Sequence, residues 1–191
     1  MKSTRSTLVF ALFSSVLLFA CGASESVSCQ KQYWDGLVGV CVPAGWNEVS
    51  TEQLRERGIP QEVVVVFQSE QLVSGNIPTV LVTKEILTRD FDASTYSESN
   101  VVSVASLPAF EQVDKQELKI DGKKVHLHTF IAQPVTEEPK KRFYQLSSVS
   151  RGVGYTITAV LPVSTDKAVE RQALTMLRSL TFEQSIKKEE K

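Results

Sequence analysis

The sequence predicts an α+β fold in which helices pack on one largely antiparallel sheet. Two pairs of adjacent strand-like segments, at 110–132 and 142–161, are each centred on a glycine-containing turn, which is typical of antiparallel hairpins. Apolar residues recur at helical spacing from Val169 to Leu180, which indicates an amphipathic helix with one buried face. Strands and helices in this order favour a single sheet with helices packed against it.

Composition limits the class of protein. The chain has 191 residues, of which 42% are hydrophobic, and its 21 Lys and Arg nearly balance its 22 Asp and Glu. A single long apolar stretch excludes a polytopic membrane protein, and the near-zero net charge argues against a nucleic-acid binder. The length predicts one domain with enough residues to bury its own core.

The first 20 residues predict a secretory signal. Two basic residues precede an apolar run at 8–20, which is too short to span a bilayer. The sequence at 18–22 resembles a bacterial lipobox, in which Cys21 becomes the acylated first residue. The alternative is an ordinary signal peptide cut near Ala20 or Ala23, which would leave Cys21 free.

The lipobox reading predicts where the protein is attached. Residues 1–20 would be the lipoprotein signal peptide and 21–28 a short polar tether, so the lipid on Cys21 would bind the membrane. The residue after the lipid-carrying cysteine is Gly22, whereas an aspartate at this position is the signal for retention in the inner membrane. In a Gram-negative cell this predicts an outer-membrane lipoprotein that faces the periplasm.

The remaining two cysteines predict a disulfide. With Cys21 acylated, Cys29 and Cys41 are left, and export places them in an oxidising compartment. A turn at Asp35-Gly36 lets residues 29–41 fold back as a hairpin. The bridge would close about 13 residues and contribute about 3 kcal/mol. The alternatives are two free thiols or a metal pair.

The first half of the domain predicts two helices and two strands. A capping box at 50–53 starts a helix at about 51–57. The β-branched run at 62–68 is a buried strand, and 78–87 is a second strand. A further helix begins at 92–94 and continues to about Ala105.

The second half predicts four strands and a final helix. Asp121-Gly122 joins strands at 110–120 and 123–132 in a type I′ turn, and residues 151–154 join strands at 142–150 and 155–161. Pro162 stops the last strand, and residues 164–166 cap the helix that carries the apolar stripe. Residues 184–191 form a charged tail.

Residues 42–183 resemble the PsbP-like superfamily, which includes the DcrB-like bacterial envelope lipoproteins. The resemblance rests on Val42-Pro43-x-Gly45-Trp46 at the start of the domain, on Gly154-Tyr155, and on the closing segment 178–182. It implies an α-β-α sandwich around a central antiparallel sheet, and members that mostly bind proteins. It supplies no catalytic residue, and the hairpin at 29–41 is additional to the pattern.

His126 and His128 are the residues that invite a search for chemistry. Alternate residues of a strand share a face, and His-x-His occurs in zinc sites. A third ligand would have to be an acid such as Glu111 or Asp114. The sequence favours the plainer interpretation of two partly exposed histidines on the polar side of a strand, with no metal and no cofactor.

These observations predict a non-enzymatic, lipid-anchored envelope protein that binds a protein partner and no nucleic acid. Tyr33 and Trp34 near the hairpin tip are candidate partner contacts, although Trp34 could equally fold back onto the sheet. Two alternatives are kept open. One is a metal-dependent enzyme or metal carrier that uses His126 and His128, and the other is a carrier of small apolar ligands.

Overall fold

The structure is a computed structural model that describes residues 27–184. The predicted signal peptide at 1–20, the predicted acylation site Cys21 and the predicted charged tail beyond residue 184 lie outside the described residues. Within 27–184, no helix has the length and apolar character needed to cross a bilayer.

The described residues form a seven-stranded antiparallel sheet, a separate two-stranded hairpin and three helices. The sheet order is β3-β4-β5-β9-β8-β7-β6, and every neighbouring pair is antiparallel. The elements in chain order are β1 (Lys31–Trp34), β2 (Gly39–Val42), β3 (Trp46–Val49), α1 (Thr51–Glu56), β4 (Val63–Ser69), β5 (Thr79–Ile86), α2 (Ala93–Val104), β6 (Glu111–Ile120), β7 (Lys123–Ala132), β8 (Lys141–Ser150), β9 (Val153–Pro162) and α3 (Lys167–Arg178).

Helix α3 covers one face of the sheet. Its stripe at i, i+4, i+7 and i+8 is buried against strand residues that are themselves fully buried, which forms the main apolar core. The helix begins at Asp166, whose carboxylate accepts hydrogen bonds from the amides of Ala168 and Val169 at 2.8 and 2.9 Å. The buried stripe comprises Val169, Ala173, Met176 and Leu177.

Helix α2 covers the opposite face. On β8, Tyr144 and Leu146 belong to the α3 core, so the alternate residues Gln145 and Ser147 point towards α2. Asn100 of α2 donates hydrogen bonds to the hydroxyls of Ser147 and Thr156, each at 3.0 Å. Helices on both faces confirm the predicted α-β-α sandwich, and the α2 interface combines these polar contacts with a second apolar cluster around Phe130 and Phe143.

The hairpin β1–β2 carries the predicted disulfide. Cys29 and Cys41 are bonded, with their Cα atoms 5.3 Å apart. The turn follows from Asp35, whose Oδ1 accepts hydrogen bonds from the amides of Leu37 and Val38 at 2.8 and 2.7 Å. Gly36 in this turn has a φ of 99°, which favours glycine.

Strand β2 fastens the hairpin to the segment that follows α3. Gly39 and Thr181 exchange two backbone hydrogen bonds, at 2.8 and 3.0 Å, and the amide of Cys41 donates to the Ser179 hydroxyl at 2.8 Å. At the other end of α3, Val27 and Ser28 line a surface groove together with Arg171 and Gln172. The chain therefore enters the domain at the start of α3 and leaves it beyond the end of α3.

Two features differ from the sequence prediction. Strand β3 was not predicted, yet it pairs with β4 at the edge of the sheet. Its Trp46 is buried, and the indole nitrogen donates to Gln172 of α3 at 3.0 Å, a contact distant in sequence. The turn after β8 is also shorter than predicted, because only Arg151 and Gly152 have positive φ and β9 already begins at Val153 and includes Pro162.

Candidate functional site

A cluster of ionisable side chains lies between α2 and the sheet. Glu98 on α2 meets His126 and His128 on β7, and the ligand atoms of the three residues all lie within 4.8 Å of one another. The two histidines share the α2-facing side of the strand because side chains alternate along it. Ser97 holds the helix in place, since its hydroxyl donates to the backbone carbonyl of His126 at 3.2 Å.

One carboxylate oxygen is the centre of the cluster. Oε1 of Glu98 lies 2.9 Å from Nδ1 of His126 and 3.8 Å from Nε2 of His128. The same oxygen forms an ion pair with Nζ of Lys115, on the edge strand β6, at 2.6 Å. The approach of His126 is close, but its alignment is not that of a hydrogen bond.

Burial makes the cluster unusual. His128 is 1% exposed, and among the described residues neither of its ring nitrogens has a hydrogen-bond partner. Nδ1 of His126 is also buried without a properly aligned hydrogen bond, whereas the buried Oε1 of Glu98 is paired with the Lys115 ammonium. A buried polar group left unpaired costs about 1–3 kcal/mol, so the enclosed imidazole of His128 is an energetically costly feature of this interface.

The protonation states of Glu98 and His128 leave both side chains with electron pairs that can bind a cation. The hydrogen bond and charge of Lys115 lower the pKa of Glu98 against the opposing effect of burial, so its carboxyl is ionised at neutral pH. Burial lowers the pKa of His128 against the opposing charge of Glu98, so its imidazole is neutral. An ionised carboxylate and a neutral imidazole are the forms that bind metal ions.

The structure corrects two expectations about the histidines. His128 is not partly exposed on a polar face, because α2 covers that side of β7. The acid beside the histidines is Glu98, whereas Glu111 and Asp114 lie outside the cluster. Asp114 instead accepts hydrogen bonds from the amide of Lys115 and the side chain of Gln116, both at 2.8 Å.

A second feature is an apolar groove beside the hairpin tip. Leu37 at the tip is 45% exposed and Ile86 at the end of β5 is 86% exposed, and both line a surface groove of about 600 Å³. Val153 and Tyr155 form its apolar floor. Two acids and one base border the groove, namely Glu62, Glu85 and Lys84.

The two aromatic residues singled out in the sequence are half-buried. The ring of Tyr33 packs edge-on against Phe67, with centroids 5.5 Å apart. Burial raises the pKa of Tyr33 to about 12, and the charges of Asp35 and Glu48 add to the effect. Trp34 folds back against Gly39, where an added Cβ would lie 2.9 Å from the indole ring. A role for Tyr33 and Trp34 in partner contact stays a prediction.

Comparison with known proteins identifies the fold. No family model matches the chain, and no curated protein matches it. Among solved structures, the cyanobacterial PsbP of Synechocystis sp. PCC 6803, CyanoP, is 16% identical, with a TM-score of 0.55 over 87% of this chain and 99% of that chain. The chain has a PsbP-like fold.

Two further structures share this PsbP-like fold. LpqN, which is involved in cell envelope biogenesis of Mycobacterium tuberculosis, is 15% identical, with a TM-score of 0.58 over 75% of this chain and 82% of that chain. PA94, a protein of unknown function from Pseudomonas aeruginosa, is 14% identical, with a TM-score of 0.51 over 77% of this chain and 94% of that chain. At these identities the likeness establishes the fold alone. Assignment to the DcrB-like group stays a prediction.

The PsbP-like sandwich places the two features at separate positions. The Glu98–His126–His128 cluster lies on the face covered by α2, towards the β6 edge of the sheet. The groove lies at the tip of the hairpin, beside the end of β5. The two can therefore be changed independently by mutation.

Proposed function

We propose that this protein is a non-enzymatic, lipid-anchored protein of the bacterial cell envelope that binds a protein partner. In a Gram-negative cell it would lie on the outer membrane, facing the periplasm. The observation that carries the proposal is the Cys29–Cys41 disulfide, because disulfides persist in oxidising compartments outside the cytoplasm.

The beginning of the chain supports the anchor. A basic start, an apolar run and a small residue before Cys21 are the features of a lipoprotein signal. Pairing of the other two cysteines leaves Cys21 as the one cysteine outside the disulfide. The fold that the chain shares with LpqN, a protein of envelope biogenesis, supports the same compartment.

The groove supports a protein partner of defined chemistry. Exposed aliphatic side chains at Leu37 and Ile86 would bury an apolar anchor residue of the partner. The border carries Glu62 and Glu85 against Lys84, so its net negative charge favours a basic residue beside that anchor. The backbone bonds between Gly39 and Thr181 hold the hairpin that presents Leu37, which reduces the loss of conformational freedom on binding.

Acylation is tested by mass spectrometry of the protein purified from membranes in detergent. We expect an N-terminal peptide that begins at lipid-modified Cys21, and loss of membrane association in the Cys21→Ser variant. An unmodified N-terminus at any other residue would overturn the anchor. The disulfide is checked in the same sample by thiol alkylation before and after reduction.

Partner binding is tested with a photo-crosslinking residue at position 86, and at position 113 as the control. Val113 is 52% exposed on the edge strand β6, which three intervening strands separate from Ile86 on β5. The captured protein is then purified and its binding measured by calorimetry. We expect 1:1 binding that Ile86→Asp weakens at least tenfold, by about 1.4 kcal/mol, and that Val113→Asp leaves unchanged. Equal binding by both variants, or equal capture at both positions, would contradict the proposal.

A further inference from the structure

We propose that Glu98, His126 and His128 form a binding site for a divalent transition-metal ion, with zinc as the best match. Two imidazole nitrogens and one carboxylate oxygen are a recurrent zinc ligand set, with the fourth position left to water or an incoming ligand. The site is separate from the hairpin groove and does not depend on the anchor or the partner.

The distances suit a tetrahedral ion. With metal–ligand bonds of about 2.0–2.1 Å, ligand atoms stand about 3.3 Å apart along each edge of the tetrahedron. Oε1 of Glu98 lies 2.9 Å from Nδ1 of His126 and 3.8 Å from Nε2 of His128, so the two observed separations bracket that value. Since all three ligand atoms lie within 4.8 Å of one another, side-chain rotations would have to close the remaining gap to reach the geometry of a bound ion.

The imidazole of His128 is deeply buried and has no hydrogen-bond partner among the described residues. His128 is fully enclosed, and its Nε2 has no hydrogen-bond partner among residues 27–184 although it points to within 3.8 Å of a carboxylate. Its cross-strand neighbour Gln145 likewise holds a buried amide oxygen without a partner. A metal ion would satisfy the ligand nitrogens, and its bound water could reach a further acceptor.

Lys115 is the internal competitor for this site. Its ammonium contacts the same oxygen of Glu98, at 2.6 Å, that the ion would bind. Lys115 lies on the edge strand β6 with its side chain partly exposed, so the ammonium can move into solvent when an ion arrives. Metal binding would thus exchange one cation for another at Glu98, and removal of Lys115 should strengthen it.

The small number of histidines makes it simple to assign a bound metal to this site. The chain has 2 histidines, and both belong to the cluster, so any histidine-bound metal must be bound here. The full-length protein, purified in detergent and stripped with a chelator, is titrated with zinc chloride by calorimetry. X-ray absorption then identifies the ligands. We expect one zinc per chain, bound by two imidazoles and oxygen.

Two variants with matched controls distinguish the site from weak surface binding. Glu98→Gln should weaken zinc binding at least about 100-fold, whereas Glu111→Gln on β6 should not change it. Lys115→Gln should tighten binding by about tenfold, whereas Lys119→Gln on the same strand should have no effect. Circular dichroism verifies that each variant is folded. Absence of saturable 1:1 binding, or identical affinities for Glu98→Gln and the parent protein, would overturn the proposal.

Discussion

Tyr144 on β8 donates its hydroxyl hydrogen to the carboxylate of Glu170 on α3, inside the apolar interface between the sheet and the helix. Burial raises the pKa of Tyr144 to about 12, with the hydrogen bond and charge of Glu170 adding to the effect. Lys167 donates to the other oxygen of Glu170 at 2.9 Å, so the buried carboxylate is satisfied from two sides.

Removal of this hydroxyl should destabilise the fold. Tyr144→Phe keeps the ring but leaves Oε1 of Glu170 without its donor, and a hydrogen bond to a charged group contributes about 1.5–3 kcal/mol. We expect the free energy of unfolding in urea to fall by about 2 kcal/mol with an unchanged slope. Tyr155→Phe, at a tyrosine whose hydroxyl makes no such bond within residues 27–184, is the control. Equal losses in the two variants would refute the assignment.

The stability of the protein should fall in acid through Glu170. Burial opposes ionisation, but the hydrogen bonds from Tyr144 and Lys167 lower the pKa of Glu170 below its ordinary value of 4.5. Because the folded-state pKa is the lower one, the unfolded state takes up the proton first. The stabilisation is complete above pH 4.5 and is lost as the pH falls through the folded-state pKa. Urea titrations from pH 6 to pH 3 should show a shallower decline in Glu170→Gln than in the parent, and parallel curves would refute this.

The disulfide should stabilise the domain. The hairpin should nevertheless stay packed against the domain when the disulfide is removed. Cys29→Ser with Cys41→Ser should lower the free energy of unfolding by about 3 kcal/mol, since the closed loop no longer restricts the unfolded chain. The backbone bonds between Gly39 and Thr181 remain, so β2 should stay protected in hydrogen exchange. Loss of that protection in the folded double variant would show that the disulfide itself holds β2 in place.

Gly154 should not tolerate a side chain. A Cβ at this position would overlap the ring of Tyr96, which α2 presses against β9. Gly154→Ala should therefore destabilise the protein by about 1–3 kcal/mol through overpacking. Adding Tyr96→Leu to Gly154→Ala should recover part of the loss, since the two residues are in contact and their effects are not additive. Strictly additive effects in thermal unfolding would argue against this contact.

Local chemistry explains which elements could be predicted. Asp121-Gly122 defines its own turn through positive φ at both positions, and Asp166 caps α3 through its own carboxylate. Strand β3 has four residues, and the indole of its buried Trp46 donates to Gln172 of α3. No local pattern encodes that long-range contact, so the sequence does not predict this strand.

The site depended on tertiary structure in the same way. The spacing of His126 and His128 placed both on one face of a strand, but it did not indicate that α2 covers that face. Glu98 stands 28 residues before His126, in a helix whose pattern is mostly serine and valine. Only packing of that helix brings its carboxylate to the imidazoles, and sequence spacing favoured the nearer acids on β6.

The chain enters the domain near the start of α3 and leaves it beyond the end of α3, so this helix defines an axis of the molecule. Val27 and Ser28 lie beside the first turns of this helix, whereas the hairpin tip lies near its far end, where Gly39 pairs with Thr181. Twelve residues at about 1.5 Å each separate the two ends by about 18 Å. The first described residues, Val27 and Ser28, therefore lie towards the opposite end of α3 from Leu37 at the hairpin tip.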